Sequence, residues 1–82
     1  MSYRVELRPA AVRALKNIDP QNQARIRAAI ELLAINPRPP KSQKLQGRPE
    51  LRVCVGDYRI LYSVHDDVLL VLVLSLGHRR EA

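Results

Sequence analysis

The stretch Leu51-Arg52-Val53-Cys54-Val55-Gly56-Asp57-Tyr58-Arg59-Ile60-Leu61-Tyr62 constrains the fold more than any other part of the chain. Two β-prone runs flank Gly56-Asp57, a two-residue loop in which glycine is free to take a positive φ at the first position. A hairpin closed there sets Val55 opposite Tyr58 and Cys54 opposite Arg59. Side chains alternate along a strand, so Arg52, Cys54, Arg59 and Leu61 share one face. Val53, Val55, Tyr58, Ile60 and Tyr62 share the other. Arg52 and Arg59 then lie diagonally across the pair, roughly 7–8 Å apart at the backbone. Two guanidiniums that close repel each other unless an anion lies between them. The pair is therefore either a solvated edge or an anion site.

The flanking segments supply the rest of a small domain. Tyr3, Val5 and Leu7 alternate with Arg4, Glu6 and Arg8, the pattern of a half-buried strand. Pro9 opens a short helix to about Asn17, with Val12, Leu15 and Ile18 at helical spacing. Asp19-Pro20 is a helix start, an N-cap acceptor followed by proline at the first helical position. From Pro20 to about Ile35 a stripe of Ile26, Ala29, Ile30 and Leu33 is widened by Leu32 and Ile35. Asn36-Pro37 ends it. So short a connection joins the two helices into an antiparallel hairpin. Arg13, Lys16, Arg25 and Arg27 read as their solvated faces.

Pro37, Pro39, Pro40 and Pro49 keep the next segment irregular, and Arg38, Lys41, Lys44 and Arg48 make it cationic. Stiff, polyproline-like backbone holds such charges outward at little entropic cost, and a loop this long in so small a domain is often functional. After the hairpin and the polar turn His65-Asp66-Asp67, the run Val68 to Leu76 is nearly all Val and Leu, as in an inner strand. Gly77 breaks it, and His78-Arg79-Arg80-Glu81-Ala82 follows. The expectation is one α+β domain over 1–82 with element order β-α-α-β-β-β. Its twisted antiparallel sheet ends in a three-strand meander, and the helical hairpin packs on one face. The helices cover only that face. Leu61, Leu70, Leu72 and Leu74 are thus expected as an apolar patch beside the arginines, suited to a partner's helix or extended segment.

Charge and cysteine content narrow the function. Fourteen Lys and Arg against eight Asp and Glu give a net charge of +6 in 82 residues, a field that favours polyanions. A single cysteine excludes an internal disulfide and suits a reducing compartment. Met1 is followed at once by a strand-like run, and the longest apolar run, Val68 to Leu74, is too short to span a membrane. A cytoplasmic protein without membrane attachment is expected. No His, Cys or carboxylate spacing suits a metal, and no Gly-rich loop cradles a phosphate, so no metal or cofactor is expected.

If the anion is a phosphodiester, Arg59 with Arg52 beside it forms a clamp, since the planar guanidinium fork matches phosphate oxygens. Arginine is a poor proton shuttle. His78 is the best candidate for that part, as an imidazole ordinarily titrates near pH 6.5. Strict strand alternation places His78 on the arginine face and Arg79 off it, unless Gly77 introduces a bulge. Glu50 is a weaker candidate base. His65 reads as an exposed turn residue, and Cys54 has no base partner.

The element order, the basic loop with Lys44-Leu45-Gln46-Gly47, the run Val55-Gly56-Asp57-Tyr58-Arg59-Ile60-Leu61-Tyr62 and the ending Leu76-Gly77-His78-Arg79-Arg80-Glu81 together resemble the RelE/ParE superfamily of toxins from bacterial type II toxin–antitoxin pairs. The resemblance covers nearly the whole chain. It implies the RelE-like microbial RNase fold and a toxin neutralised by an antitoxin that wraps around it, in a hetero-oligomer. The RelE-like branch cleaves messenger RNA in the ribosomal decoding site; the ParE-like branch poisons DNA gyrase. The catalytic pattern of the RelE-like branch, carried over by position, falls on Arg52, Arg59 and Arg79. His78 is added as the proton shuttle. Lys41, Lys44, Arg48 and Arg80 are expected to meet RNA phosphate, and Leu61, Leu72 and Leu74 the antitoxin. Two features depart from the pattern. Cys54 stands where the family commonly has a second basic residue, and no Tyr follows the Gly-His-Arg-Arg-Glu run. Three readings follow: a ribosome-dependent endoribonuclease, a gyrase inhibitor, and a non-catalytic toxin that only binds its antitoxin.

Overall fold

The computed structural model describes residues 2–78. Strand β1 spans Arg4–Leu7, helix α1 Pro9–Lys16 and helix α2 Pro20–Ile35. Four strands follow: β2 (Gln43–Lys44), β3 (Leu51–Val55), β4 (Tyr58–His65) and β5 (Leu70–His78). Both helices begin with proline at their first position. Asp19 caps α2, its carboxylate accepting from the Asn22 backbone N–H at 3.2 Å and from Asn22 Nδ2 at 2.8 Å. The hairpin closes at Gly56-Asp57 with Val55 opposite Tyr58 and Cys54 opposite Arg59, as expected, and Gly56 takes φ +59°.

The strands form one sheet in the order β1-β5-β4-β3-β2. β3, β4 and β5 make the expected antiparallel meander. β1 pairs with β5 in parallel, from Arg4 opposite Leu70 to Leu7 opposite Val73, so the sheet is mixed rather than antiparallel. Alternation along β1 tells which face each side chain takes and nothing about the direction of its neighbour. β2 is a second addition, a two-residue strand inside the proline-rich segment that pairs Gln43 with Arg52 and Lys44 with Leu51.

The core lies between the helices and one face of the sheet. Ala11 and Leu15 of α1 and Ile26, Ile30 and Leu33 of α2 pack with Val53, Ile60, Tyr62, Val71 and Val73. Leu32 and Ile35 do not join it; they are 64% and 69% exposed. At about 100° per residue, Ile30 and Leu33 fall within about 40° of Ile26, whereas Leu32 and Ile35 fall about 120° and 180° away. The helix therefore buries the narrow stripe and presents the widening residues outward.

Two polar connections tie the segment after α2 to the sheet. The buried Tyr62 hydroxyl donates to the Pro37 carbonyl at 2.7 Å, and burial raises its pKa. Arg38 forks onto Asp66 at 3.1 and 2.8 Å, and the Tyr3 hydroxyl donates to the same carboxylate. The Arg38 guanidinium, then the Tyr3 hydroxyl, hold the Asp66 carboxyl down at about 2.

Candidate functional site

The sheet face away from the helices carries the arginines. Arg52 pairs with Leu61, and Cys54 with Arg59, so the two arginines lie diagonally as the hairpin geometry requires. Both border a hollow of about 340 Å³, together with Leu45, Leu61, Ser75 and Gly77. Both are half-buried. Arg52 is held by Gln43 of β2, whose Oε1 accepts from Nε at 3.2 Å and from Nη2 at 3.1 Å.

A bulge in β5 decides what faces this hollow. Tyr62 pairs with Val73, but Leu61 pairs with Ser75, so Leu74 is an extra residue on β5. Beyond it the alternation restarts. Ser75 and Gly77 then take the arginine face, opposite Leu61 and Arg59. His78 pairs instead with Tyr58, on the helix side, and its ring meets the Tyr58 ring edge-on at a centroid distance of 5.4 Å. The expectation of His78 on the arginine face is thus corrected. The break in alternation comes at Leu74, three residues before Gly77. His78 still borders the rim of the hollow. Arg79 and Arg80 lie outside the described residues.

The cationic loop contributes less to the hollow than its charge led one to expect. Lys41, Lys44 and Arg48 are exposed and none lines it; Leu45 does. Lys44 is opposite Leu51, a residue packed against the core, so its register position is on the other face from Arg52. Glu50 is half-buried, and its backbone carbonyl accepts from Leu45 N–H at 3.0 Å. His65 is exposed at the end of β4 and lies 3.0 Å from the Ser63 hydroxyl. Cys54 is exposed.

The leucine patch is only half-formed as a surface. Leu61, Leu70 and Leu72 are on the arginine face, but each is half-buried, as is Leu74 at the bulge. Leu72 sits in register between Glu6 and Ser63, whose side chains share its face. The most exposed apolar side chains belong to α2 instead. Leu32 and Ile35 border a groove of about 580 Å³ that runs between α2 and β3, with Arg25, Pro40 and Lys41 along it. Sequence reasoning missed this groove, the β2 strand with Gln43, and Ser75. Each depends on how a loop folds back or on a bulge, and period-two or helical spacing carries neither. No helix among the described residues is long and apolar enough to cross a membrane.

The family model for the ParE toxin of the type II toxin–antitoxin system parDE matches residues 5–82. The chain belongs to the RelE/ParE toxin superfamily. A Methanocaldococcus jannaschii chain named as a RelE1 toxin is 29% identical over 86 residues, covering all of this chain and 96% of the relative. Among solved structures, the archaeal RelE–RelB complex from Pyrococcus horikoshii superimposes with a TM-score of 0.88 at 30% identity, covering all of both chains. The isolated Escherichia coli RelE toxin has the same fold, with a TM-score of 0.85 at 20% identity over 99% of this chain and 88% of that one. The toxin is therefore RelE-like in structure, and RelE relatives crystallise with the RelB antitoxin.

Proposed function

We propose that this toxin cuts messenger RNA in the ribosome by attack of a ribose 2′-oxygen on the adjacent phosphate. The observation that carries this reading is the placement of Arg52 and Arg59 around one hollow on the uncovered face of the sheet. In that reaction the 2′-hydroxyl loses its proton and its oxygen bonds to phosphorus. The bond to the 5′-oxygen then breaks, leaving a cyclic phosphate and a 5′-hydroxyl. Arg59 and Arg52 stabilise the extra negative charge on the five-coordinate phosphate, where guanidinium forks match its oxygens. His78, at the rim of the hollow, moves the proton, with Arg79 of the ending as a further cation. The exposed Arg48, with Arg80, gathers RNA phosphate near the clamp, whereas Lys41 in the α2–β3 groove and Lys44 on the other face add to the positive field that draws RNA to the domain.

The antitoxin silences the toxin by lying on the same face, over Leu61, Leu72 and Leu74. Leu61 supports this, because it borders the hollow itself. Inhibition then needs no change in the toxin's shape.

Induction of the chain in bacterial cells without antitoxin, followed within minutes by mapping of RNA 5′ ends, tests the reading. Cuts inside translated codons that vanish with Arg59→Ala are expected. The match to a ParE family model supports a second reading, inhibition of DNA gyrase. Growth arrest with intact messenger RNA and gyrase-dependent DNA breaks would establish that alternative. Absence of any arrest would leave a toxin that only binds antitoxin.

A further inference from the structure

We propose that Gln43 is a positioning residue that presets Arg52 for phosphate; this rests on the RNA-binding reading of the hollow. Gln43 is directly opposite Arg52 in the short β2–β3 ladder. Its Oε1 accepts from both Nε and Nη2 of Arg52, at 3.2 and 3.1 Å. Those two nitrogens form one edge of the guanidinium plane. The other edge, between Nη1 and Nη2, keeps its N–H groups for a ligand in the hollow that Arg52 borders. A guanidinium held along one edge presents the other in a fixed direction, and bidentate contact with phosphate depends on that direction.

The acceptor is neutral, and this matters to the chemistry. A carboxylate in the same place would hold the arginine as well but would cancel its charge. Glutamine orients the cation and leaves the full positive charge for an anion. The placement also gives β2 a purpose. Two residues of pairing add little to a sheet, yet they bring a side-chain amide against one of the two arginines that border the hollow.

Two measurements on the folded full chain test the proposal. The first is the Arg52 Nε–H resonance. In the wild type it should be resolved and slow to exchange; in Gln43→Ala it should exchange rapidly. An unchanged resonance in the variant would overturn the positioning role, whatever the protein binds. The second is binding of a single-stranded RNA made uncleavable by 2′-O-methylation, measured over a range of salt. Each cation engaged on a single strand contributes about 0.7 to the slope of log affinity against log salt. Arg52→Ala should weaken binding and lower that slope by about 0.7. Gln43→Ala should weaken binding about three- to tenfold with the slope unchanged, the cost of ordering one long side chain. Gln43→Glu should keep the Nε–H resonance protected yet lower the slope as Arg52→Ala does. Wild-type affinity and slope in Gln43→Ala, or an unchanged slope in Gln43→Glu, would refute the proposal. If the wild type fails to bind the RNA, the nucleic-acid reading and the role built on it both fall. The resonance then still decides whether Gln43 holds Arg52.

Discussion

Arg59 is where charge, geometry and proposed chemistry meet. Its partner across the hairpin is the exposed Cys54, and Arg59 and Arg52 are the two arginines that border the hollow among the described residues. Removing the Arg59 guanidinium is expected to lower RNA cleavage on the order of 10²–10³-fold, the usual cost of losing one preorganised charge contact. Arg59→Lys keeps the charge and loses the planar fork, so its rate should fall between wild type and Arg59→Ala. Single-turnover cleavage of ribosome-bound messenger RNA reads both, and equal rates for the lysine variant and wild type would show that charge alone suffices. Tyr62 makes a structural prediction of the same scale. Its hydroxyl is buried and bonds the Pro37 carbonyl. Tyr62→Phe leaves that carbonyl without its partner, at a cost of about 1–3 kcal/mol in a denaturant titration. The alternation of the hairpin had placed the Tyr62 ring correctly among the core residues. The hydroxyl's partner was not legible, because it comes from a proline loop 25 residues away.

The elements differ in how far their sequences determine them. The β3–β4 hairpin was readable to the residue because its register depends only on a local loop, and Gly56 carries that loop. Its φ of +59° lies in the left-handed region, where a Cβ meets the following carbonyl oxygen. A Cβ added there would also approach Arg25 Nη1 to 3.6 Å, an ordinary contact. The expected effect of Gly56→Ala is thus backbone strain of about 1–2 kcal/mol, seen as a lower urea midpoint with an unchanged m-value. β5 shows the opposite case. Its run of Val and Leu says that the strand is inner, but no residue in it announces the bulge at Leu74. Ser75 to His78 therefore take the face opposite to that read from alternation. Ser75 enters the hollow for this reason, and His78 turns to Tyr58. α2 was legible in its bounds and in its buried stripe. The exposed Leu32 and Ile35 were misread because apolar character was counted without their angular position.

At the scale of the whole molecule, two ends of the domain bear on pH and on inhibition. Tyr3 before β1, Arg38 after α2 and Asp66 after β4 close on one another through the Asp66 carboxylate. Its pKa is near 2 in the folded chain, against an ordinary value of 3.8. A carboxyl with a lowered folded pKa adds stability that is complete above the unfolded value and is lost as pH falls through the folded one. Asp66→Asn should therefore melt at lower temperature than the wild type at pH 7. The two should converge as pH falls from about 4 to 2, and a constant difference across that window would remove Asp66 from the acid response. The opposite concern is the uncovered face. Arg52, Arg59 and Leu61 border the same hollow, with Leu72 farther along that face. An antitoxin seated on the leucines must then exclude RNA from the arginines. Titrating antitoxin into toxin bound to uncleavable RNA should release the RNA in proportion to the complex formed. Leu72→Asp should weaken the antitoxin at least about tenfold, as an unpaired buried charge does. It should leave RNA affinity nearly unchanged, because Leu72 does not line the hollow. A ternary complex of toxin, antitoxin and RNA would instead place the antitoxin elsewhere and require inhibition to act through the toxin's conformation.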